Sequence, residues 1–480
     1  MTQTTWIRNA AWIVAWDRAS GRHAYLRDAD LAFSGNAIVH VGKNYAGPAD
    51  TIIDGRDRLL IPGLVDIHAH PSTEPFFRGI REEHGVPAMY MTGLYERFGA
   101  FRTDSDGRRA GKTVAYCEML RTGITTVADL SPPDPWWIDL AASSGLRVFL
   151  APGFASARWR LENGWQLHYA WDEPAGQRGL QDALALIDRA RRHPSGRLSG
   201  IVFPGQIDTC SESLLRDSAA AAAENNLPLT THCAQSVTEF NEMLHRHGKT
   251  PISWAHDIGI LGPRTILGHA IFTDEHSWTR WHTRDDIRLL AETGASVAHC
   301  PSPFARYGQM LEDFGRYRRA GVNVGIGTDV SPHNLIEEMR LAAILARIAA
   351  RDITATSTEA IFHAATIGGA QALGRDDLGR LAPGARADLV LIDLTNPFMQ
   401  PVRDPLRSLI YTAADRAVHS VFVDGHRVVE DGRVVTLDHA GALAELAEAQ
   451  ARMQDAVPQH DWAHRSADQI TPLSLPTLTG

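Results

Sequence analysis

The chain has 480 residues, of which 44% are hydrophobic and 21% are charged, which excludes a mostly disordered protein and favours one large α/β domain plus a smaller one. The formal net charge of −9 argues against a nucleic-acid partner or an anionic membrane surface. No segment reaches the ~20 apolar residues of a membrane span, and four scattered cysteines without a C-x-x-C motif are typical of reduced thiols in a cytoplasmic protein.

Residues 1–60 are predicted to form short strands, because apolar and polar residues alternate there without a helical period. The segment 30–42 indicates two strands joined by a Gly35-Asn36 turn. A further strand is predicted at 51–54. The chain therefore begins with a β-rich region.

Short apolar strands alternate with helices from residue 61 to residue 383. The predicted strands are 64–70, 123–129, 146–151, 198–203, 227–232, 265–269, 295–299 and 322–329. Strand–helix alternation implies a parallel sheet, and eight units over this span predict a closed (β/α)₈ TIM barrel.

Strands return after the barrel, at 387–393, 418–424 and 427–430. We expect them to pair with the N-terminal strands, so that residues 1–60 and 384–440 form one discontinuous β-sandwich into which the barrel is inserted. Residues 441–480 are predicted to add a helix, at 443–453, and a polar tail that lies on the surface or on a neighbouring subunit.

Four of the predicted strand ends carry candidate metal ligands. His68 and His70 close the first strand, His232 the fifth, His269 the sixth and Asp329 the eighth. A bare H-x-H is more often a pair of surface histidines, but alternation puts these two rings on one face of a strand. The carboxyl ends of barrel strands meet at one mouth. Four imidazoles and a carboxylate there fit a nitrogen-rich, zinc-like site.

Several motifs distributed over nearly the whole chain carry a resemblance to a known family. They are Pro62–His70, Arg78-Gly79, Gly123–Val127, Gly268-His269, Gly327–Asp329, Ala365–Ala370 and Gly379–Val390. In this order they resemble the amidohydrolase superfamily of metal-dependent hydrolases. The resemblance implies that the five candidate ligands bind one catalytic metal ion. The most similar branch holds triazine hydrolases, aminohydrolases and cytosine-, guanine- or adenosyl-type deaminases.

The lysine content indicates how many ions the site would hold. Binuclear members of the superfamily bridge two ions with a carboxylated lysine after the fourth strand. This chain has only Lys43, Lys112 and Lys249, and Lys112 falls in a predicted helix ahead of the second strand. We therefore predict a mononuclear site, with zinc as the expected ion and Fe(II) or Co(II) also compatible with the ligands.

The expected chemistry is attack of a metal-bound hydroxide on an electrophilic carbon, with Asp329 accepting the proton. The deaminases of the branch usually place a glutamate three residues after the strand-five histidine. Here that position is Gln235, whose carboxamide cannot cycle a proton near neutral pH. Glu239 could substitute, although an exposed helical glutamate is the simpler interpretation. His299 is the better proton carrier if it faces the mouth.

Aromatic-rich loops after the first, third and fourth strands predict an apolar or aromatic small-molecule substrate. Phe76, Trp136 and Trp159 are candidate walls, His299 is a candidate contact, and Arg158 would bind a carbonyl or anionic group unless it is a solvated surface arginine.

The sequence thus predicts hydrolysis of a C–N bond, or of a C–halogen or C–S bond, in a urea, carbamate, amide or N-heterocycle. Deamination of a nucleobase-like or triazine heterocycle is the alternative, and a non-catalytic scaffold relative is the third interpretation. Retention of all five ligands disfavours the scaffold. A homo-oligomer is expected from family analogy alone.

Overall fold

A computed structural model describes residues 3–478 as a mixed α/β fold. Its strands are β1 (Thr4–Asp17), β2 (Arg22–Ser34), β3 (Ala37–Gly42), β4 (Thr51–Asp54), β5 (Arg58–Pro62), β6 (Leu64–Ala69), β7 (Ile124–Ser131), β8 (Arg147–Phe154), β9 (Ala157–Leu161), β10 (Leu167–Trp171), β11 (Leu198–Gly200), β12 (Phe203–Pro204), β13 (Leu229–Cys233), β14 (Thr265–His269), β15 (Ser296–His299), β16 (Asn323–Ile326), β17 (Leu389–Asp393), β18 (Val418–Val423), β19 (His426–Glu430) and β20 (Arg433–Val434).

The α-helices lie mainly between the central strands. They are α1 (Leu94–Ala100), α2 (Ser105–Arg121), α3 (Trp137–Ser144), α4 (Glu173–Arg191), α5 (Glu212–Glu224), α6 (Val237–His247), α7 (Pro251–Asp257), α8 (Asp286–Thr293), α9 (Pro301–Ala305), α10 (Phe314–Arg319), α11 (Leu335–Ala350), α12 (Thr358–His363), α13 (Gly369–Ala372), α14 (Pro405–Ser408), α15 (His439–His460) and α16 (Ala467–Ile470). Within residues 3–478, no helix is both long enough and apolar enough to cross a membrane.

Both ends of the chain contribute to one nine-stranded sheet. Its order is β20-β19-β18-β17-β5-β1-β2-β3, with β4 paired to β1. The seam between the two ends is the antiparallel pair β5–β17, in which Leu60 faces Leu391 and Ile61 faces Val390. Burial of such residues on either side of the seam holds the N- and C-terminal segments together.

Two parallel sheets form the centre of the molecule. One has the order β11-β8-β7-β6 with β12 on β8, and the other has the order β13-β14-β15-β16. Isolated parallel bridges join their edges, from Val202 to Leu229 and from Ala69 to Asp329. All six residues of β6 are buried, as expected for a parallel strand covered on both faces. Because the pairings are parallel, the carboxyl ends of these strands lie on one side.

Several predicted elements differ from those in the structure for identifiable reasons. The predicted fourth strand is interrupted between Gly200 and Phe203, leaving the short strands β11 and β12. The predicted helix 443–453 is the middle of α15, which starts earlier because Asp438 caps it by accepting from the Gly441 amide. The long connection after the third strand contains the antiparallel pair β9–β10, which sequence alone left irregular.

Candidate metal centre

Five polar side chains meet where the central strands end. His68 lies in β6 and His70 directly after it, His232 lies in β13, His269 ends β14, and Asp329 follows β16. The Asp329 carboxylate approaches His70 Nε2 at 3.3 Å, His68 Nε2 at 3.6 Å and His269 Nε2 at 3.9 Å. His232 Nε2 lies 3.2 Å from His70 Nε2. The structure therefore brings together all five residues that the sequence indicated.

Backbone carbonyls orient two of the imidazoles. Nδ1 of His70 donates to the carbonyl of Leu130 at 3.0 Å, and Nδ1 of His232 donates to that of Gly205 at 2.8 Å. Each bond assigns the ring proton to Nδ1 and leaves the Nε2 lone pair directed at the cluster. Metal-binding histidines are commonly fixed in this way.

Unpartnered nitrogens indicate that the cluster is built for a ligand. Among the residues that the structure describes, neither nitrogen of the fully buried His68 has a hydrogen-bond partner, and Nδ1 of His269 has none either. Burial lowers the pKa of His232 to about 3 and holds the pKa values of His68 and His269 well below the usual range. The rings are therefore neutral at pH 7, which is the form that binds a metal. Four imidazoles and one carboxylate fit a divalent ion such as zinc.

Two glycines of the sequence motifs make room for His68. A Cβ on Gly268 would lie 2.6 Å from His68 Cε1, and a Cβ on Gly327 would lie 2.7 Å from His68 Cβ. Any larger residue at either position would displace the ring. This close approach explains why glycine stands at position 268, directly before His269, and at position 327, two residues before Asp329.

Asp66 is a positioning residue that sequence reasoning missed. Its carboxylate accepts from the amides of His68 at 3.1 Å and Thr328 at 3.2 Å, and from the Thr328 hydroxyl at 2.7 Å. Burial raises the pKa of Asp66 to about 7. The signal was available, since a carboxylate inside the apolar strand Leu64–Ala69 must find partners.

His299 and Gln235 lie at neighbouring strand ends. His299 closes β15, is buried, and has no partner for Nδ1. Burial lowers its pKa to about 4, so it is neutral at pH 7. The Gln235 carboxamide is also buried and donates through Nε2 to Oε1 of Gln206.

The expectation of an exposed Glu239 is wrong. Its side chain is fully buried and accepts hydrogen bonds from the amides of Ala234 at 2.5 Å and Gln235 at 3.3 Å. These bonds hold Ala234 in a left-handed conformation, with a φ of 55°. Glu239 therefore fixes the turn after β13, and its carboxylate is already occupied.

The hairpin β9–β10 separates two residues that were predicted to act together. Trp159 faces inward, where Nε1 donates to Asp208 Oδ2 at 3.0 Å and the ring packs edge-on against Tyr95. Arg158 is exposed on the opposite face, because successive side chains of a strand alternate. The prediction that Arg158 contacts substrate is therefore corrected to the surface interpretation. Asp208 itself was not predicted.

Two further aromatic residues have structural contacts. Phe76 is fully buried in a core with Ala110, Val114 and Leu446, so its predicted role as a substrate wall is wrong. It packs there because a 3-10 turn at Glu74–Phe77 directs it at α2. Trp136 is half-buried and donates to the Ser105 hydroxyl at 3.3 Å, and its ring packs against the main core.

The lysines are engaged elsewhere or exposed. Lys112 is buried, with Nζ 2.9 Å from Asp129 Oδ2. Lys249 forms an exposed pair with Asp257, and Lys43 lies in the N-terminal β-region. With none of the chain's lysines available as a bridge, the centre suits one ion.

Comparison with known proteins agrees with this geometry. The profile described as the amidohydrolase family matches residues 59–428. A 5'-deoxyadenosine deaminase of Methanothermobacter thermautotrophicus is 30% identical over 435 residues, which are 89% of this chain and 95% of that protein.

Two solved structures with zinc resemble the fold. An adenosine deaminase from Xanthomonas campestris superposes with a TM-score of 0.81 at 25% identity, covering 94% of this chain and 98% of its own. The atrazine chlorohydrolase from Arthrobacter aurescens TC1 gives a TM-score of 0.79 at 27% identity, covering 93% and 100%. The chain therefore belongs to the amidohydrolase family, as a metal-dependent enzyme that hydrolyses carbon–nitrogen bonds with one divalent ion, for which zinc fits.

Proposed function

We propose that the protein is a zinc-dependent aminohydrolase that replaces the amino group of an adenine-like heterocycle with oxygen and releases ammonia. The convergence of four histidines and Asp329 on one point carries the proposal. The deaminase relative and the adenosine deaminase structure support this alternative over hydrolysis of a urea, carbamate or amide.

His68, His70, His232 and His269 with Asp329 would hold the ion. When bound, a divalent ion lowers the pKa of water to about 7 and so supplies a nucleophile near neutral pH. Asp329 would accept the proton of the attacking water and return it to the departing amine, since its carboxylate borders three of the imidazoles.

His299 and Gln235 would orient the substrate. The buried, neutral His299 has an unpartnered Nδ1, so it can exchange a hydrogen bond with a ring nitrogen but is a weak proton donor at pH 7. Gln235 can donate and accept without cycling a proton. Trp159 and Trp136 remain proposed walls of the substrate site.

A second candidate is hydrolytic removal of a different leaving group from an N-heterocycle. The observation that favours it is Gln235, which stands where deaminases of this branch usually have glutamate. A halide leaving group needs no proton, so loss of that glutamate would matter less. The atrazine chlorohydrolase structure supports this candidate.

The closure of the barrel and the domain boundaries are also proposals. We propose that residues 61–383 form a closed eight-stranded barrel, supported by the bridges at both sheet edges. Residues 1–60 and 384–440 would form one β-domain, with residues 441–480 as a terminal helix and tail.

The test is a substrate panel with zinc-loaded protein, using 5'-deoxyadenosine, adenosine, cytosine, guanine, atrazine and phenylurea. Ammonia release and product mass are measured beside Asp329→Asn as an inactive control. We expect ammonia and loss of the amino group with an adenine-like member. Turnover confined to phenylurea would contradict the proposal, and dechlorination of atrazine alone would select the second candidate.

A further inference from the structure

A second polar cluster, built around a buried carboxylate, lies on the loop that contacts His232. It consists of Asp208, Trp159 and Tyr169, and we call it the Asp208 cluster. Oδ2 of Asp208 accepts from Trp159 Nε1 at 3.0 Å and from the Tyr169 hydroxyl at 2.7 Å. Oδ1 is buried and has no hydrogen-bond partner within residues 3–478. Because Asp208 is itself fully buried, one carboxylate oxygen is left as an open acceptor.

The loop that carries Asp208 is tied directly to a candidate metal ligand. The Gly205 carbonyl accepts from His232 Nδ1 at 2.8 Å, and the Ile207 amide donates to the His232 carbonyl at 3.0 Å. Gln206, between them, bonds the side chain of Gln235. Asp208 therefore directly follows a segment, residues 205–207, that is hydrogen-bonded to His232 and Gln235.

Aromatic side chains surround the cluster on the side of the hairpin β9–β10. Trp159 packs edge-on against Tyr95, with ring centroids 4.8 Å apart, and the Tyr95 hydroxyl lies 2.6 Å from Ser236 Oγ at the start of α6. Tyr169 lies under the Arg246 guanidinium at 4.2 Å. The hairpin thus packs, through Trp159 and Tyr169, against the loop between β12 and β13 that carries Asp208.

The charged side chains near Asp208 do not neutralise its carboxylate by direct contact. Glu239 is a second buried carboxyl near it, and each raises the cost of ionising the other. The neighbouring cation Arg246 donates through Nε to Glu242 at 2.6 Å and through Nη1 to the Asp208 carbonyl at 2.7 Å. Its buried Nη2 makes no hydrogen bond to Oδ1. Burial raises the pKa of Asp208, and a further donor would stabilise its charged form.

We infer that Asp208 determines specificity, with Oδ1 accepting a hydrogen bond from an amino or ammonium group that the substrate carries away from its reacting carbon. The inference rests on the proposed function for the location of the substrate. A buried unpaired acceptor favours a ligand that supplies the missing donor and rejects an analogue that lacks it. Substrates with a second nitrogen donor are therefore the favoured class.

The test measures binding separately from turnover. Zinc-loaded Asp329→Asn protein is titrated by calorimetry with two matched pairs, 5'-amino-5'-deoxyadenosine against 5'-deoxyadenosine and 2-aminoadenosine against adenosine. We expect the amino member of at least one pair to bind about tenfold more tightly or better. Adding Asp208→Asn should abolish that preference by weakening the amino member.

Two variants separate specificity from folding. Asp274→Asn is the matched control, because this buried carboxylate also follows a strand end but has partners on both oxygens, from Thr283, Asp285 and Asp286. It should keep the preference. Tyr169→Phe removes one donor to Oδ2 and leaves Oδ1 free, so it should also keep the preference, even if Asp208→Asn does not fold.

The outcomes distinguish this inference from the proposed function. Equal binding of both members of both pairs, or an unchanged preference in a folded, zinc-containing Asp208→Asn variant, would overturn the inference and leave Asp208 as an anchor for the hairpin. Absence of binding by every member would also overturn it. Absence of turnover by unsubstituted protein, with the binding preference intact, would overturn only the proposed deamination.

Discussion

Two buried polar clusters on the central strands differ in how completely their hydrogen bonds are made. At the end of β7, Asp129 accepts from Lys112 Nζ, Tyr116 OH, Trp137 Nε1 and Ser131 Oγ at 2.5–2.9 Å. At the ends of β6 and β14, by contrast, nitrogens of His68 and His269 have no hydrogen-bond partner in the part of the chain that the structure describes.

The contrast teaches which polar cluster is structural and which is functional. The Asp129 cluster is complete within the protein, because its carboxylate meets donors on both oxygens and a buried cation. The metal centre is complete only with an external partner, because a buried imidazole nitrogen without a hydrogen bond is costly. Burial alone does not separate the two, since His68, His232 and His269 are buried as Asp129 is.

The largest expected effect comes from a substitution in the metal centre. Asp329→Asn keeps the size of the side chain but removes the base and a charged candidate ligand, so kcat at saturating zinc should fall by about 10²–10⁴-fold. Steady-state kinetics on an active substrate of the panel measures the loss, while circular dichroism should show an intact fold. A kcat within a factor of two of the unsubstituted enzyme would contradict the assigned role.

Breaking the structural cluster should instead reduce stability. Asp129→Ala leaves the Lys112 ammonium buried without its partner, which should cost about 3–5 kcal/mol of unfolding free energy in a urea titration. The double variant Lys112→Met/Asp129→Leu should recover most of this loss. Loss of bound zinc in folded Asp129→Ala would show that the two clusters are not separate.

Comparing zinc-free with zinc-loaded protein tests the difference between the two clusters without a mutation. Zinc at about 100 times its dissociation constant should raise the unfolding free energy by about 2.7 kcal/mol. Hydrogen exchange should show the protection gained at β6, β13 and β14, with little change in α2. An equal gain of protection in α2 would contradict the separation of the two clusters. His68→Ala is the control, in which zinc should raise the unfolding free energy less.

The smallest expected effect comes from removing one hydrogen-bond donor from the Asp129 cluster. Trp137→Phe removes one of the donors to Asp129 and should lower the unfolding free energy by about 1 kcal/mol. Thermal melts and urea titrations measure it, and zinc content should not change. A loss as large as that of Asp129→Ala would mean that the indole, rather than the lysine, dominates the cluster.

Residues whose role follows from strand position could be predicted from the sequence. His68, His70, His232, His269 and Asp329 each stand at the end of an apolar segment, and parallel strands bring their carboxyl ends together. The β-rich chain ends were recognisable from alternation for the same reason, since a strand's period is visible locally.

Residues whose role depends on packing between distant segments could not. The sequence predicts Phe76 as a pocket wall, but α15 covers it from the far end of the chain. The sequence favours an exposed Glu239, but its carboxylate turns back onto amides that precede α6. The role of Asp208 can be recognised only in the folded protein, where the hairpin β9–β10 supplies two hydrogen-bond donors to its carboxylate.

The most direct test of the metal centre is the zinc stoichiometry of the purified protein, measured by native mass spectrometry together with elemental analysis. We predict about one zinc per chain, lost in His232→Ala and kept in Asp129→Ala. Two ions per chain, or one ion that survives His232→Ala with unchanged affinity, would contradict the single centre built from four strand ends.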